Sequence, residues 1–137
     1  MSIVIDSSIT LAWVYSDETT EPARQVLETV SYNGAWVPAL WRLEVANVLE
    51  MGVRRGRHDS VFRDASLNDL ALLPVSIDME TDRQAWGITL RLAERHRLRL
   101  YDAAYLELAM RRGFPLATLD DQLRTAANAE AVILLGK

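Results

Sequence analysis

The chain has no cysteine, only two histidines (His58 and His96) and a single lysine, Lys137. Without cysteine there is no disulfide, no thiolate nucleophile and no cysteine-built zinc site. Chemistry that needs a histidine pair or a lysine Schiff base has little to draw on. No apolar run reaches the roughly 20 residues of a membrane-spanning helix, so no membrane association is expected. The first residues lack a basic stretch ahead of an apolar one and turn at once into strand-like sequence. Together with the missing cysteine, this leads us to expect a cytoplasmic protein without a secretory signal.

What is present fits one globular domain over residues 1–137, half hydrophobic and one quarter charged. The net charge of −4 argues against a protein that coats nucleic acid by bulk electrostatics. Arginine nevertheless supplies every basic residue but Lys137. It clusters at Arg54, Arg55 and Arg57, at Arg91, Arg95, Arg97 and Arg99, and at Arg111 and Arg112. Guanidinium forks match phosphate geometry, although each arginine taken singly also reads as solvated helix surface.

No repeat, low-complexity tract or linker interrupts the chain. The pattern predicts strands at residues 2–5, 35–37, 74–77, 115–118 and 131–135. Helices are predicted at 7–15 (capped by Ser7 or Ser8), 21–32, 40–55, 60–72, 81–97, 101–112 and 120–128. Short apolar strands alternating with helices imply a mainly parallel sheet of four to five strands covered on both faces. Ligand sites in such sheets lie beyond the carboxyl ends of the strands, where Asp6 and Asp120 fall.

Four acids stand out by position. Asp6 follows the apolar run Ile3-Val4-Ile5. Glu44 lies on a helix that is apolar nearly all round and is therefore expected to be mostly buried; Asn47 is its neighbour one turn on. Asp102 opens a helix on the side opposite a Glu107/Arg111 pair that reads as the exposed stripe. Asp120 borders the apolar face formed by Leu123, Ala126 and Ala127, whereas Asp121 falls on the polar face. Three of the acids also have a structural use: Asp6 and Asp102 as helix caps, Glu44 at a solvated edge. Taken together they describe carboxylates aimed at one place, which repel unless a cation neutralises them. All-oxygen ligands favour Mg2+ or Mn2+ over zinc, and such a cation suits phosphodiester hydrolysis.

Four segments in order carry a resemblance. They are Val4-Ile5-Asp6-Ser7-Ser8, then Val37-Pro38-Ala39-Leu40-Trp41 leading to Glu44-Val45-Ala46-Asn47, then Tyr101-Asp102-Ala103-Ala104-Tyr105-Leu106, and Pro115-Leu116-Ala117-Thr118-Leu119-Asp120. Over nearly its whole length the chain resembles PIN-domain proteins, specifically VapC-type toxins of bacterial toxin–antitoxin pairs. The resemblance implies a three-layer α/β/α fold and Mg2+- or Mn2+-dependent endoribonuclease activity on RNA. It also implies a homodimer and inhibition by a cognate VapB-like antitoxin. By position it places the catalytic, metal-holding acids at Asp6, Glu44, Asp102 and Asp120, with supporting polar residues Ser8, Asn47 and Thr118. Asp121 departs from the pattern by adding a negative charge beside the site.

Two enzyme alternatives fit poorly. A phosphoryl-accepting receiver domain needs an internal lysine, and a haloacid-dehalogenase-like phosphatase wants an aspartate where Ser8 stands. A non-catalytic RNA- or protein-binding module with a PIN-like fold remains the alternative from another class. For a partner surface, the sequence points to Trp13 and Trp41, more aromatic area than short helices can bury, with the basic stretch 54–57 beside them.

Overall fold

The computed structural model describes residues 2–137. Strand β1 (Ile3–Ile5) is followed by helix α1 (Ser7–Val14), a 3-10 turn (Ser16–Glu18) and α2 (Glu21–Asn33). Next come β2 (Ala35–Pro38), α3 (Trp41–Arg54), α4 (Ser60–Ala71) and β3 (Val75–Asp78). Helices α5 (Thr81–Gln84), α6 (Ile88–His96) and α7 (Leu100–Arg112) lead to β4 (Leu116–Ala117), α8 (Asp121–Ala129) and β5 (Leu134–Leu135).

All five strands join one sheet in the order β3-β2-β1-β4-β5, and every neighbouring pair is parallel. β1 is central, with Val4 opposite Trp36 on one side and Leu116 on the other. Covered on both faces, it needs an unbroken apolar run, and Ile3, Val4 and Ile5 are all buried. The chain steps outward from β1 to β2 and β3, then returns past β1 to β4. Right-handed crossovers therefore lay α1 to α4 on one face and α5 to α8 on the other. Contacts of α1 with α2 and α3, and of α7 with α6 and α8, agree with this. The three-layer α/β/α expectation holds. The reversal between β1 and β4 makes a crevice at the carboxyl ends of those two strands.

Several local expectations are corrected. The predicted helix 81–97 is two helices. The N–H groups of Ala85 and Gly87 bond back three residues, to Asp82 and Gln84, and Gly87 sits at φ −110°, ψ −109°, far from helical values. Glycine is the cheapest residue at which to break a helix. The first helix is capped by Asp6, whose side chain accepts from the Ile9 N–H, and not by Ser7 or Ser8. Strands β4 and β5 are two residues each, shorter than predicted.

α3 is not mostly buried. It turns one stripe inward (Trp41, Val45, Leu49 and Gly52) and leaves Leu43 75% exposed. The pair Glu107 and Arg111 forms at 2.8 Å, but it is not an exposed stripe. Because α7 packs against β1, β2, α6 and α8, Glu107 is buried. The Arg111 guanidinium also binds buried Asp78 at 2.6 Å. Trp41 is buried too, its indole N–H donating to Thr10, and Trp13 is half-buried with its N–H on the Ala23 carbonyl. The aromatic surface expected around these two tryptophans is therefore largely consumed by the core. In the basic stretch beside them, Arg57 is tied to Asp17 and Glu18. Among the described residues no helix is long and apolar enough to cross a membrane.

Candidate active site

The site is built where β1 and β4 end side by side. Asp6 leaves β1 in an extended conformation and starts α1, so its carboxylate must face the first turn. One oxygen, Oδ1, accepts the Ile9 N–H at 3.0 Å and the Ser8 hydroxyl at 2.7 Å. The other, Oδ2, accepts the Thr118 hydroxyl at 2.5 Å. Ser8 Oγ in turn accepts the Leu119 N–H, and Thr118 Oγ1 accepts the Asp120 N–H. Two hydroxyls thus stitch the end of β1 to the loop after β4. Arg124 reinforces that loop by donating to the carbonyls of Thr118 and Leu135.

Asp6 is only 3% exposed. Burial pushes its pKa up to about 6, against the pull of Thr118, Ile9 and Ser8, and the nearby charge of Asp102 pushes the same way. Even with three hydrogen bonds, the ionised form is short of positive charge.

Glu44, in the first turn of α3, is half-buried, and its Oε1 accepts the Tyr105 hydroxyl at 2.6 Å. Burial raises its pKa; the Tyr105 hydrogen bond opposes this, Asp102 adds to it, and Arg99 opposes it. Asp102, in the first turn of α7, accepts from Arg99 Nε at 3.2 Å. Asp120 caps α8, its Oδ1 accepting the Leu123 N–H at 2.8 Å. The acids sense one another. Asp102 raises both Asp6 and Glu44, and the charge on Arg99 is stabilised by Asp102, Glu44 and Asp120.

The structure therefore brings Asp6, Ser8, Thr118 and Asp120 into direct contact or adjacency, with Asp102 and Glu44 within electrostatic reach. Asn47, one turn beyond Glu44, is exposed. The expectation that Asp6, Glu44 and Asp102 stand within bridging reach of one cation is not met in this conformation. Among the described residues no three acidic side chains form a ready set of ligands. Each carboxylate instead holds its own donor: Asp6 the two hydroxyls, Glu44 the Tyr105 phenol, Asp102 the Arg99 guanidinium. Asp121 lies on the polar face as expected, and Lys137 pairs with it at 2.5 Å, offsetting the added charge beside the site.

Reasoning from sequence missed Tyr105 and Arg99 as parts of the site. The available signal was spacing: Arg99 and Tyr105 each stand three residues from Asp102, within one turn of it.

The donor set suits a hard divalent cation. It is all oxygen, carries excess negative charge, and has a buried carboxylate in need of a counter-charge. Neither histidine competes, since His58 bonds Tyr15 and His96 bonds Glu130.

A profile of the PIN domain matches residues 3–129. The chain belongs to the PIN-domain family. PIN domains are generally nucleases, and divalent metals are their usual cofactors. The fold is shared with solved structures. PAE2754 from Pyrobaculum aerophilum superimposes with a TM-score of 0.71 at 23% identity, covering 98% of this chain and 83% of that one. VapBC2 from Rickettsia felis, solved bound to a DNA fragment from its promoter, gives 0.63 at 14% identity, covering 98% and 97%. None of the curated protein sequences matches this PIN domain significantly.

Proposed function

We propose that this PIN domain is a metal-dependent endoribonuclease, the toxin of a VapBC-type pair, acting in the cytoplasm on RNA phosphodiester bonds. Asp6, Glu44, Asp102 and Asp120 would hold Mg2+ or Mn2+, with Ser8, Asn47 and Thr118 in support. The observation that carries the reading is Asp6. A buried carboxylate at the switch point of a parallel sheet keeps two hydroxyls and an amide, and is still destabilised by burial and by Asp102. Residues selected only for stability would not be left so.

A cation bound there would supply an activated water and stabilise charge on the phosphoryl group. The chain's own residues set the frame. Ser8 and Thr118 fix both Asp6 oxygens, Tyr105 turns Glu44 toward α7, and the cap at Asp120 anchors α8 beside them.

The likeness to the VapBC2 structure supports a VapB-like antitoxin as partner; the proposal also takes the assembled state to be a homodimer. For the antitoxin the reading assigns the apolar groove between α3 and α4, a cavity of 260 Å³ lined by Trp41, Val45, Leu67 and Leu70. Leu43 is exposed on the same α3 helix.

The test is cleavage of a total-RNA pool by purified protein with Mn2+, with excess chelator, and in Asp6→Asn. Cleavage that needs the metal and disappears in the variant is expected. Cleavage undiminished by chelator would refute the metal, and a well-folded protein that never cuts RNA would favour the non-catalytic binding module.

A further inference from the structure

Arg99 stands in an unusual place for a cation. It occupies the N-cap position of α7, where the helix dipole disfavours positive charge. No backbone partner explains it there; its side chain reaches over the first turn to Asp102, with Nε 3.2 Å from Oδ2. The charges of Glu44 and Asp120 stabilise it as well, so it lies in the field of three of the four acids. Its side chain is 73% exposed, against 15% for Asp102. Among the described residues only Nε is hydrogen-bonded; both terminal nitrogens, the pair that grips a phosphate, are free.

We infer that Arg99 is the internal counter-ion of the acidic site and passes from Asp102 to an RNA phosphate when a divalent cation takes the carboxylates. The inference rests on the metal-dependent reading proposed above. One exposed ion pair is weakly held. A dication beside Asp102 repels the guanidinium and removes the charge that holds it. The released fork lies at the edge of the site, and its planar geometry fits two phosphate oxygens. The same side chain thus competes with the cation in the free protein and binds substrate in the loaded one.

The experiment compares wild type with Arg99→Gln, Arg99→Lys and the exposed control Arg91→Gln on α6, with melting curves to confirm folding. Mn2+ affinity is read by paramagnetic resonance in the absence of RNA. Arg99→Gln is expected to bind Mn2+ several-fold more tightly, and Arg99→Lys to lie near wild type. RNA affinity is read as anisotropy of a short labelled single strand in Ca2+, with integrity checked on a gel. There Arg99→Gln is expected to bind several-fold more weakly, with a log–log salt slope reduced by about 0.7. Unchanged or weaker Mn2+ binding in Arg99→Gln overturns the inference. An unchanged RNA affinity and salt slope overturns it too, as does an equal response in Arg91→Gln. Asp102→Asn separates the two levels. If it loses Mn2+ binding and cleavage while the Arg99 variants behave as wild type, the site reading stands and only the role of Arg99 falls. If it keeps both, the site reading itself fails.

Discussion

The Tyr105 hydroxyl donates to Glu44 Oε1 at 2.6 Å, joining two helices on opposite faces of the sheet through residues 61 positions apart. Tyr105 is fully buried, so its phenol has no water to exchange for this partner. The bond orients Glu44 and opposes the rise in its pKa that burial and Asp102 cause. In Tyr105→Phe that opposition is lost. We expect RNA cleavage to fall by tenfold or more and the acid limb of the pH–rate profile to move to higher pH. Stability should drop by only about 1 kcal/mol. A protein equally destabilised but with an unmoved pH profile would show that Tyr105 serves packing alone.

Asp6 links the site to stability. Its folded pKa of about 6 lies above the ordinary 3.8, so between those values the native state binds more protons than the unfolded chain. Stability from this group therefore falls as pH rises through the window from 3.8 to 6. The cost is fully present above pH 6 and absent below pH 3.8. Raising the pKa from 3.8 to about 6 corresponds to about 3 kcal/mol. Asp6→Asn, measured in chelator, should lose this slope and melt no lower than wild type at pH 7.5, while RNA cleavage disappears. A capping role alone predicts a loss of about 1 kcal/mol or less with activity intact.

Asp102→Asn and Asp121→Asn should differ sharply although both remove one carboxylate near α7 or α8. Asp102 faces Asp6 and Glu44, and its neutralisation relieves both. Cleavage should vanish, with the metal-free melting temperature unchanged or raised. Asp121 faces Lys137 at the surface, so its variant should cut RNA as wild type does. Equal loss of activity in the two would count against the assignment of Asp102.

Far stronger effects on folding are expected at Arg111, outside the site. Its guanidinium holds Asp78, Glu107 and Glu80, and two of these carboxylates are buried. Removing it in Arg111→Met leaves buried charge unpaired, at a cost of about 3–5 kcal/mol. Burial works against the ionised Asp78, but Arg111 and Arg112 outweigh it and hold its pKa below 3.8. Asp78 therefore contributes stability above pH 3.8 that is lost as pH falls through its folded pKa. Urea unfolding at pH 7 and at a pH well below 3.8 should show this acid sensitivity in wild type and its weakening in the Arg111 variant, where only Arg112 still faces Asp78.

The linear sequence determined a great deal of this molecule. Apolar runs too short for helices, alternating with helix-length segments, determined a parallel three-layer fold, because a strand covered on both faces must be apolar throughout. Beta-strand ends and cap positions located Asp6 and Asp120, since both follow directly from chain order. Four ordered segments were enough to single out Glu44, Asp102, Ser8 and Thr118. Only the tertiary structure decided how these groups are used. Periodicity measures which side of a helix is apolar, not what covers it. So α3, which reads as apolar nearly all round, was left half open, while Glu107 was buried by the packing of α7 and its partner Arg111 was turned toward Asp78. The partners of Glu44 and Asp102 were likewise decided by packing. Tyr105 meets Glu44 across the sheet, and Arg99 reaches over the first turn of α7 to Asp102. Such long-range electrostatics depend on distances through space, which residue spacing along the chain does not encode.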